Sequence, residues 1–201
     1  MDSKVSTVEQ DIRLACERGD YDTAATVVIR EYGPEIFGVL VARLRNRDDA
    51  AEVFSQFSHD LWLGLPTFAW KCSARVWAYK VARNASLRYV TAACRRPGRH
   101  IPLSDHPALE KVVQDARTTT RAYLRTENKT RMRDLRERLS SEDQELLILR
   151  VDKGMSFRDM VFVVSEPAPA DERCLAQEAA RLRKRFQLAK ERLRRLAMED
   201  G

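Results

Sequence analysis

The residues best suited to contact a polyanion are concentrated between Asp60 and Asp105, a segment that contains no acidic residue. The same segment contains these basic residues: Lys71, Arg75, Lys80, Arg83, Arg88, Arg95, Arg96 and Arg99. Aromatic residues are interleaved with them: Trp62, Phe68, Trp70, Trp77, Tyr79 and Tyr89. Basic side chains neutralise phosphates and release counterions, and aromatic faces stack on bases that have left a duplex. The combination predicts contact with single-stranded or melting DNA.

Each group in this segment also has an ordinary structural interpretation. Trp62 and Trp77 lie on apolar helical faces, so we expect both rings to belong to a core. Phe68 and Trp70 lie outside the helical pattern, around the break at Pro66, and could either stack on bases or pack within the loop. The basic residues could form a solvated surface, although the lack of balancing acids argues against that interpretation.

A second basic region lies near the C-terminus. Between Arg173 and Arg195 there are nine Lys or Arg residues and two Glu residues. N-cap signals precede it at Ser140 or Ser141, with Asp143 and Gln144 three positions on, and at Ser156, with Asp159 three positions on. A helical apolar pattern follows each of them. Capped helices followed by a basic helix are typical of a helix-turn-helix that reads the major groove. The alternatives are a short coiled-coil seam and a basic helix that only confers solubility.

An acidic segment precedes the acid-free one. Asp48, Asp49, Glu52 and Asp60 accompany the apolar stripe of one predicted helix. Carboxylates in the first turn of a helix are favoured by its dipole. An acidic, partly apolar surface beside a DNA-binding one predicts a protein partner, and a solvated helix face is the alternative.

Sequence motifs of enzymes are missing. There is no P-loop, no G-x-S-x-G, no H-E-x-x-H and no Rossmann glycine set, so we predict a protein that is not an enzyme and needs no cofactor. The cysteines and histidines show neither a C-x-x-C pair nor zinc spacing, so we expect no metal site. They are Cys16, Cys72, Cys94, Cys174, His59, His100 and His106.

The chain has no sequence feature that predicts membrane association. Residues 1–10 are polar, and no stretch approaches the ~20 apolar residues that span a bilayer. Scattered cysteines are typical of a reducing compartment. We therefore predict a cytoplasmic protein without a membrane partner.

The elements that position these residues are predicted to be helices. Hydrophobic residues make up 44% of the 201 residues and charged residues 33%, while only 7 Gly and 7 Pro interrupt the chain. This composition predicts an all-α fold. Residues 97–117 contain three prolines and no clear period, so they predict a flexible linker between a helical domain at 1–96 and another at 118–201.

Apolar residues at three- and four-residue spacing locate the helices. In the first domain they predict helices from Val5 to Cys16, from about 24 to 46 with a break at Gly33-Pro34, from Asp48 to Leu61, and from Ser73 to Cys94. In the second domain they predict helices at about 120–139, after Ser140, after Ser156, and up to about Met198.

Two stretches of the first domain resemble region 2 of the sigma-70 superfamily of bacterial sigma factors. Residues 49–62, which begin D-A-A-E-V and end L-W, resemble the D-A-E-D…L-W stretch of that region. Residues 73–84, S-A-R-V-W-A-Y-K-V-A-R-N, are similar to the S-F-R-T-W-L-Y-R-I-A-R-N segment of the extracytoplasmic-function (ECF) group. Residues 146–164 and 185–194 resemble the start and the closing helix of region 4.

The resemblance implies partners and a role for each group of residues. It implies contact with the β′ clamp helices of the RNA polymerase core through Asp49, Glu52 and Gln56. It implies recognition and opening of the promoter −10 element, with a flipped non-template base, through Phe68, Trp70, Lys71, Arg75, Tyr79, Lys80, Arg83, Asn84 and Arg88. It implies that the helix-turn-helix reads the −35 element, where our best candidates are Arg181, Arg183, Lys184 and Arg185. The linker would thread toward the RNA exit channel, and an anti-sigma factor is a further possible partner.

The leading hypothesis is therefore a sigma factor that directs polymerase to promoters. A helix-turn-helix regulator that binds duplex DNA without polymerase would explain the C-terminal half but not the aromatic, acid-free segment. A helical interaction module that binds no DNA is a third alternative. Co-purification with polymerase distinguishes the first hypothesis from the other two.

Overall fold

The computed structural model describes residues 2–93, 107–123, 134–136 and 138–199, and every regular element in those ranges is helical. The predicted all-α fold is confirmed. The chain divides into two units, Met1–Ala122 and Tyr123–Gly201. No helix within the described ranges is long and apolar enough to cross a membrane.

In the part of the first unit that the structure describes, five α-helices bring their apolar faces together in one core. They are α1 (Asp2–Glu17), α2 (Tyr21–Leu44), α3 (Arg47–Gly64), α4 (Ala74–Ala93) and α5 (Pro107–Tyr123). The side chains of Phe37, Phe54 and Phe57 are almost completely buried at its centre, with ring centroids of neighbours 5.3–5.4 Å apart. Such aromatic pairs stabilise a core beyond the area they bury.

Short polar caps fix where the helices of this unit begin. The Asp20 side chain accepts a hydrogen bond from the Thr23 backbone N–H, and the Asn46 side chain accepts from the N–H groups of Asp48 and Asp49. These carboxylate and amide oxygens satisfy backbone donors that have no partner inside the helix. The start of α3 therefore lies one residue before the acidic pair that the sequence places there.

The break predicted at Gly33-Pro34 is wrong, because α2 continues through both residues. A proline inside a helix costs roughly 3 kcal/mol through a lost hydrogen bond and a steric clash. The neighbouring residues Ile36 and Phe37 are buried to 1% exposure or less, and burying each such side chain contributes roughly 1.5–3 kcal/mol. Packing of α2 against its neighbours therefore outweighs the local preference of the proline.

The sequence prediction of a linker at 97–117 also differs from the structure. Residues 97–106 lie outside the described residues, but from Pro107 onward the chain is helical and packs on the first unit. Val113 and Ala116 of α5 are buried, and a Cβ atom on Gly33 would lie 3.2 Å from the Ala116 Cβ. A side chain at Gly33 would crowd α5, so glycine favours this close approach, and the boundary between the units falls at the end of α5.

Polar contacts hold α5 on α3. The Arg117 guanidinium donates to the Ala51 carbonyl at 2.6 Å and to the Ser55 hydroxyl. In return, the Arg47 guanidinium donates to the Arg117 carbonyl at 2.8 Å. An open cavity of about 250 Å³ remains beside these contacts, lined by residues of α2, α3 and α5.

Among its described residues, the second unit contains a short helical turn at 134–136 and three longer helices around a small core. The longer helices are α6 (Ser141–Leu147), α7 (Phe157–Val164) and α8 (Glu172–Glu199), and a π-helical turn (Ile148–Asp152) continues α6. Of the two serines predicted to cap α6, Ser140 is the N-cap and accepts from the Asp143 N–H at 3.2 Å, while Ser141 is the first helical residue. The predicted cap at Ser156 is confirmed, and it accepts from the Asp159 N–H at 3.1 Å. The helix predicted at about 120–139 falls largely on 124–133, which lies outside the described residues.

The apolar residues of α8 fix its place in this core. Leu175 and Ala179 pack with Val161 of α7, and further along the helix Phe186 packs with Leu147. Phe157 contacts both groups. The four- and three-residue spacing in the sequence of α8 therefore corresponds to packing within this unit, and the other faces of the helix carry its basic residues.

Candidate nucleic-acid interface

Three aromatic rings stack on one another where α3 turns into α4. The Phe68 ring lies 4.6 Å from the Trp77 ring at an interplanar angle of 18°, and 4.6 Å from the Trp70 ring at 40°. All three side chains are partly exposed. We call Phe68, Trp70 and Trp77 the aromatic stack.

The turn before the aromatic stack leaves space for the Trp77 ring. A Cβ atom on Gly64 would lie 2.9 Å from Trp77 Cζ2, so any side chain there would displace the indole. A 3-10 turn (Leu65–Thr67) follows, with Pro66 in its first turn, and Trp70 adopts a left-handed backbone with φ of 55°. The 3-10 turn and the left-handed backbone of Trp70 together position the aromatic rings of the loop. Trp77, which the sequence analysis assigned to a core, is half-buried in the stack.

The outward side of α4 carries basic and amide groups next to the aromatic stack. Lys80, Asn84 and Arg88 follow one another at four-residue spacing, which places them on one face of the helix. Arg83 lies on the flank of the same side, and Lys71 is exposed in the loop before α4. We call Lys71, Lys80, Arg83, Asn84 and Arg88 the cationic face.

Two residues predicted to contact DNA are instead engaged inside the unit. Tyr79 is only 3% exposed, so its ring cannot stack on a base. Burial raises the pKa of the Tyr79 hydroxyl well above its usual value. Arg75 forms a two-point ion pair with Glu35 of α2, with N–O distances of 2.8 and 3.1 Å. We therefore remove Tyr79 from the residues predicted to contact the −10 element, and we assign Arg75 to the packing of α4 against α2.

One basic residue of the interface was missed by sequence reasoning. The Arg13 guanidinium of α1 lies 5.4 Å from the centre of the Trp70 ring. This distance is typical of a cation–π contact. Arg13 lies 57 positions before its partner, so no local pattern could have indicated the pairing, although its position on the exposed side of α1 is readable from periodicity.

The residues predicted to bind polymerase lie on α3, and two of them form hydrogen bonds within the unit. The Tyr89 hydroxyl donates to Asp49 Oδ1 at 2.8 Å, which raises the pKa of Tyr89 to about 12. The Gln56 amide donates to Asp60 at 2.7 Å, and Asp60 also pairs with Arg88 of the cationic face. Glu52 lies between them, partly exposed. The acidic side of α3 thus adjoins the cationic face of α4.

In the second unit, a buried carboxylate holds two arginines of α8. Asp143 is 1% exposed and accepts from Arg185 Nε at 3.2 Å and from Arg192 Nη1 at 2.5 Å. Arg185 also pairs with Glu142. Arg185, which was predicted to read DNA, is thus paired within the unit, and its side chain is 42% exposed.

The outward side of α8 presents a different set of polar residues. Arg173, Gln177 and Lys184 are exposed on the side of the helix opposite Leu175 and Ala179. Arg181 is exposed but pairs with Glu178, and the Arg183 guanidinium lies 5.4 Å from the centre of the Phe157 ring. A recognition helix contacts bases mainly through its N-terminal residues, so Arg173 and Gln177 are candidates that the sequence analysis did not name.

The interface contains no arrangement suited to metal chemistry among the described residues. Within those residues, no group of three or more His, Cys, Asp or Glu side chains could hold a metal ion. Cys16, Cys72 and Cys174 are reduced thiols, and Cys94 lies outside the described residues. What the arrangement offers is positive charge and aromatic surface in one unit and a basic helix on a helix-turn-helix in the other.

Comparison with known proteins identifies relatives of this arrangement. Residues 28–96, which contain α3, the aromatic stack and α4, match the family model of sigma-70 region 2. The chain is also 26% identical over 170 residues to the RNA polymerase sigma-H factor of Pseudomonas aeruginosa, covering 80% of this chain and 86% of that protein.

Proposed function

Because this chain is a sigma factor of the sigma-70 family, which directs transcription initiation, we propose that it acts as an ECF-type factor with its two units on two promoter elements. The first unit recognises and opens the −10 element, and the second reads the −35 element. A subunit of polymerase acts where the chromosome is, so we also propose that it works in the cytoplasm.

One observation carries the proposal for the first unit: the aromatic stack and the cationic face adjoin each other on a surface whose sequence lacks acids from 61 to 104. Stacking on an aromatic ring stabilises an unpaired base by roughly 1–3 kcal/mol. Neighbouring cations bind the backbone phosphates of the same strand. Cations bind the phosphates of duplex and melted DNA alike, whereas aromatic rings stack on unpaired bases, so the two groups together favour the melted strand.

The acidic side of α3 supports a polymerase contact. Asp49, Glu52 and Gln56 lie within the match to sigma-70 region 2. We propose that they bind the clamp helices of the β′ subunit, which places the cationic face of α4 beside the DNA. An anti-sigma factor is a further proposed partner. We propose that it binds the same acidic side of α3, because a protein bound there would prevent polymerase from binding.

The exposed residues of α8 support the proposal for the second unit. Ser156 caps α7, a loop follows, and α8 begins with Asp171 accepting from the Cys174 N–H at 2.7 Å. Arg158 of α7 pairs with Glu172 across this loop at 2.9 Å. Together with the packing of Leu175 and Ala179 on Val161, this pair joins the two helices of the motif. Arg173, Gln177, Arg181 and Lys184 are our candidates for contact with the −35 element, and Arg183 flanks them.

Run-off transcription with purified bacterial core polymerase tests the proposal. We expect the full chain to bind core, and to produce a defined transcript from at least one promoter selected from genomic fragments of its host. Footprinting of the same complex should show protection upstream and reactive unpaired bases near the start site. Failure to bind core together with no transcript from any fragment would contradict the proposal, and duplex binding without core would favour an ordinary regulator.

A further inference from the structure

Glu9 of α1 connects three parts of the first unit that are distant in sequence. Its Oε2 accepts a hydrogen bond from the Ala74 backbone N–H at 2.7 Å, and its Oε1 accepts from the Arg75 backbone N–H at 3.0 Å. Oε1 also accepts from the Tyr32 hydroxyl at 3.0 Å. The carboxylate is partly buried, and α1 itself lies outside the matched residues 28–96.

These bonds complete the N-terminus of α4. The first backbone N–H groups of a helix have no partner inside it. In α4, Glu9 satisfies those of Ala74 and Arg75, and the Ser73 hydroxyl accepts from the Val76 N–H at 3.2 Å. A carboxylate at this end is also favoured by the helix dipole. The start of α4 is therefore fixed by a residue 65 positions earlier in the chain.

One helical turn after Glu9, the same helix contacts the other end of the loop. Arg13 lies over the Trp70 ring, and Trp70 has the left-handed backbone that residues with side chains rarely adopt. Because Glu9 and Arg13 are four positions apart, they lie on the same side of α1. This helix therefore holds both ends of the segment from Trp70 to Ala74.

We propose that Glu9 is a positioning residue for promoter opening, holding the aromatic stack and the start of α4 in the geometry that receives an unpaired base. The inference rests on the proposed function of the first unit. A preformed loop binds more tightly because little conformational freedom is lost on binding. Without Glu9 the unit still folds around its aromatic core, but the loop samples other conformations.

The test compares variants of the full chain in complex with core polymerase. Glu9→Ala removes both acceptor oxygens and so all three hydrogen bonds, and Glu9→Gln keeps one acceptor oxygen while turning an amide toward the other N–H. Asp11→Ala is the matched control, because it removes the same charge from an exposed position of α1. Each complex is titrated with a forked promoter carrying 2-aminopurine in the unpaired −10 strand, and with the closed duplex.

We expect Glu9→Ala to weaken binding of the forked promoter about tenfold, with Glu9→Gln intermediate, since ordering the loop on binding then costs free energy. Affinity for core, affinity for the closed duplex and the Asp11→Ala titration should equal those of the original chain. Arg13→Ala should also weaken fork binding, without altering the start of α4.

Two results would overturn the inference: fork binding of Glu9→Ala equal to the original, or an equal loss of fork, duplex and core binding that marks general unfolding. Failure of the proposed function has a separate signature. In that case the original chain with core would not prefer the fork over the duplex, and the aminopurine signal would stay unchanged in every complex.

Discussion

Arg75 and Arg185 carry the same charge as Lys80 and Lys184, but carboxylates of their own units already hold their guanidinium groups. Glu35 binds Arg75 in the first unit, and Asp143 binds Arg185 in the second. Arginine suits such roles because its planar fork can bind two acceptors at once. At the scale of single residues, these carboxylates therefore assign Arg75 and Arg185 to contacts within their own units.

The buried carboxylate in the second unit leads to a stability prediction. Asp143→Ala should destabilise the unit by about 1–3 kcal/mol, because hydrogen bonds to charged groups are lost from a buried position. The lower end is expected, since the Arg185 and Arg192 side chains are 42% and 53% exposed and water can replace part of the interaction. Urea denaturation followed by circular dichroism measures the change.

Glu142→Ala is the matched control for that experiment. It removes a neighbouring carboxylate that also pairs with Arg185 but is 66% exposed, so it should change stability by less than about 1 kcal/mol. Equal stability of Asp143→Ala and the original chain would show that Asp143 does not hold α8.

The N-cap of α8 gives a prediction for the dependence of stability on pH. The hydrogen bond from the Cys174 N–H lowers the pKa of Asp171, and the ion pair with Arg158 lowers the pKa of Glu172. A lowered pKa in the folded state means that the stabilisation is complete above about pH 4, the unfolded value, and is lost as pH falls below it.

Asp171→Asn keeps the N-cap hydrogen bond but removes the negative charge, because asparagine is an equally good N-cap that does not titrate. Between pH 5 and pH 3 we expect a smaller drop in the melting temperature for Asp171→Asn than for the original chain. Identical drops would mean that the Asp171 carboxylate contributes nothing to the acid sensitivity.

At the scale of elements, local signals predicted the helices that begin with a side-chain cap. Ser140 and Ser156 are recognisable because the cap and the residue it bonds lie three positions apart in sequence. The course of α2 through Pro34 and the docking of α5 were not predictable, since each depends on packing between distant residues. The local preference of Pro34 to break a helix can be read from the sequence, but the packing that outweighs this preference cannot.

The docking of α5 can be tested by loosening one contact. Arg117→Ala removes the donor to the Ala51 carbonyl and the Ser55 hydroxyl, while burial that lowers the pKa of Arg117 already offsets part of this stabilisation. We expect a net loss of about 1 kcal/mol, which corresponds to about fivefold faster amide exchange in α5. Hydrogen exchange read by mass spectrometry measures this directly.

Lys111→Ala is the control for α5, because it removes the same charge from an exposed position of the helix. Its exchange rates in α5 should match those of the original chain. Exchange in Arg117→Ala that is no faster than in this control would show that the arginine does not hold α5 on α3.

The candidate interface was also predictable only where its geometry follows from local sequence. Lys80, Asn84 and Arg88 are on one face because helical periodicity is a local property. The burial of Tyr79 is not local, since its position on α4 faces α2 and Glu35 only after the helices pack. Glu9 and Arg13 act on a loop some 60 positions away, and in sequence they are two charged residues on a short amphipathic helix.

At the scale of the whole molecule, the residues behind the net charge of +6 are unevenly distributed. Among the described residues, several cations form pairs within their own unit, and basic side chains are concentrated on the cationic face of α4 and the outer side of α8. Each unit is small, and each presents one surface of this kind. A factor that binds through two such surfaces gains affinity from both when one DNA molecule carries both elements at the right spacing.

The central claim is that α4 binds the phosphates of an opened strand, and the salt dependence of that binding tests it most directly. Binding of a pre-melted promoter bubble is measured with core polymerase over a range of salt concentrations, for the original chain and Lys80→Ala/Arg83→Ala. The control is Arg18→Ala/Lys111→Ala, which removes two positive charges from exposed positions outside the cationic face, one just after α1 and one on α5. Each phosphate contact to a single strand contributes about 0.7 to the slope of log K against log salt. We predict that the slope of Lys80→Ala/Arg83→Ala is shallower by about 1.4 while that of the control is unchanged; equal slopes in all three proteins would contradict the claim.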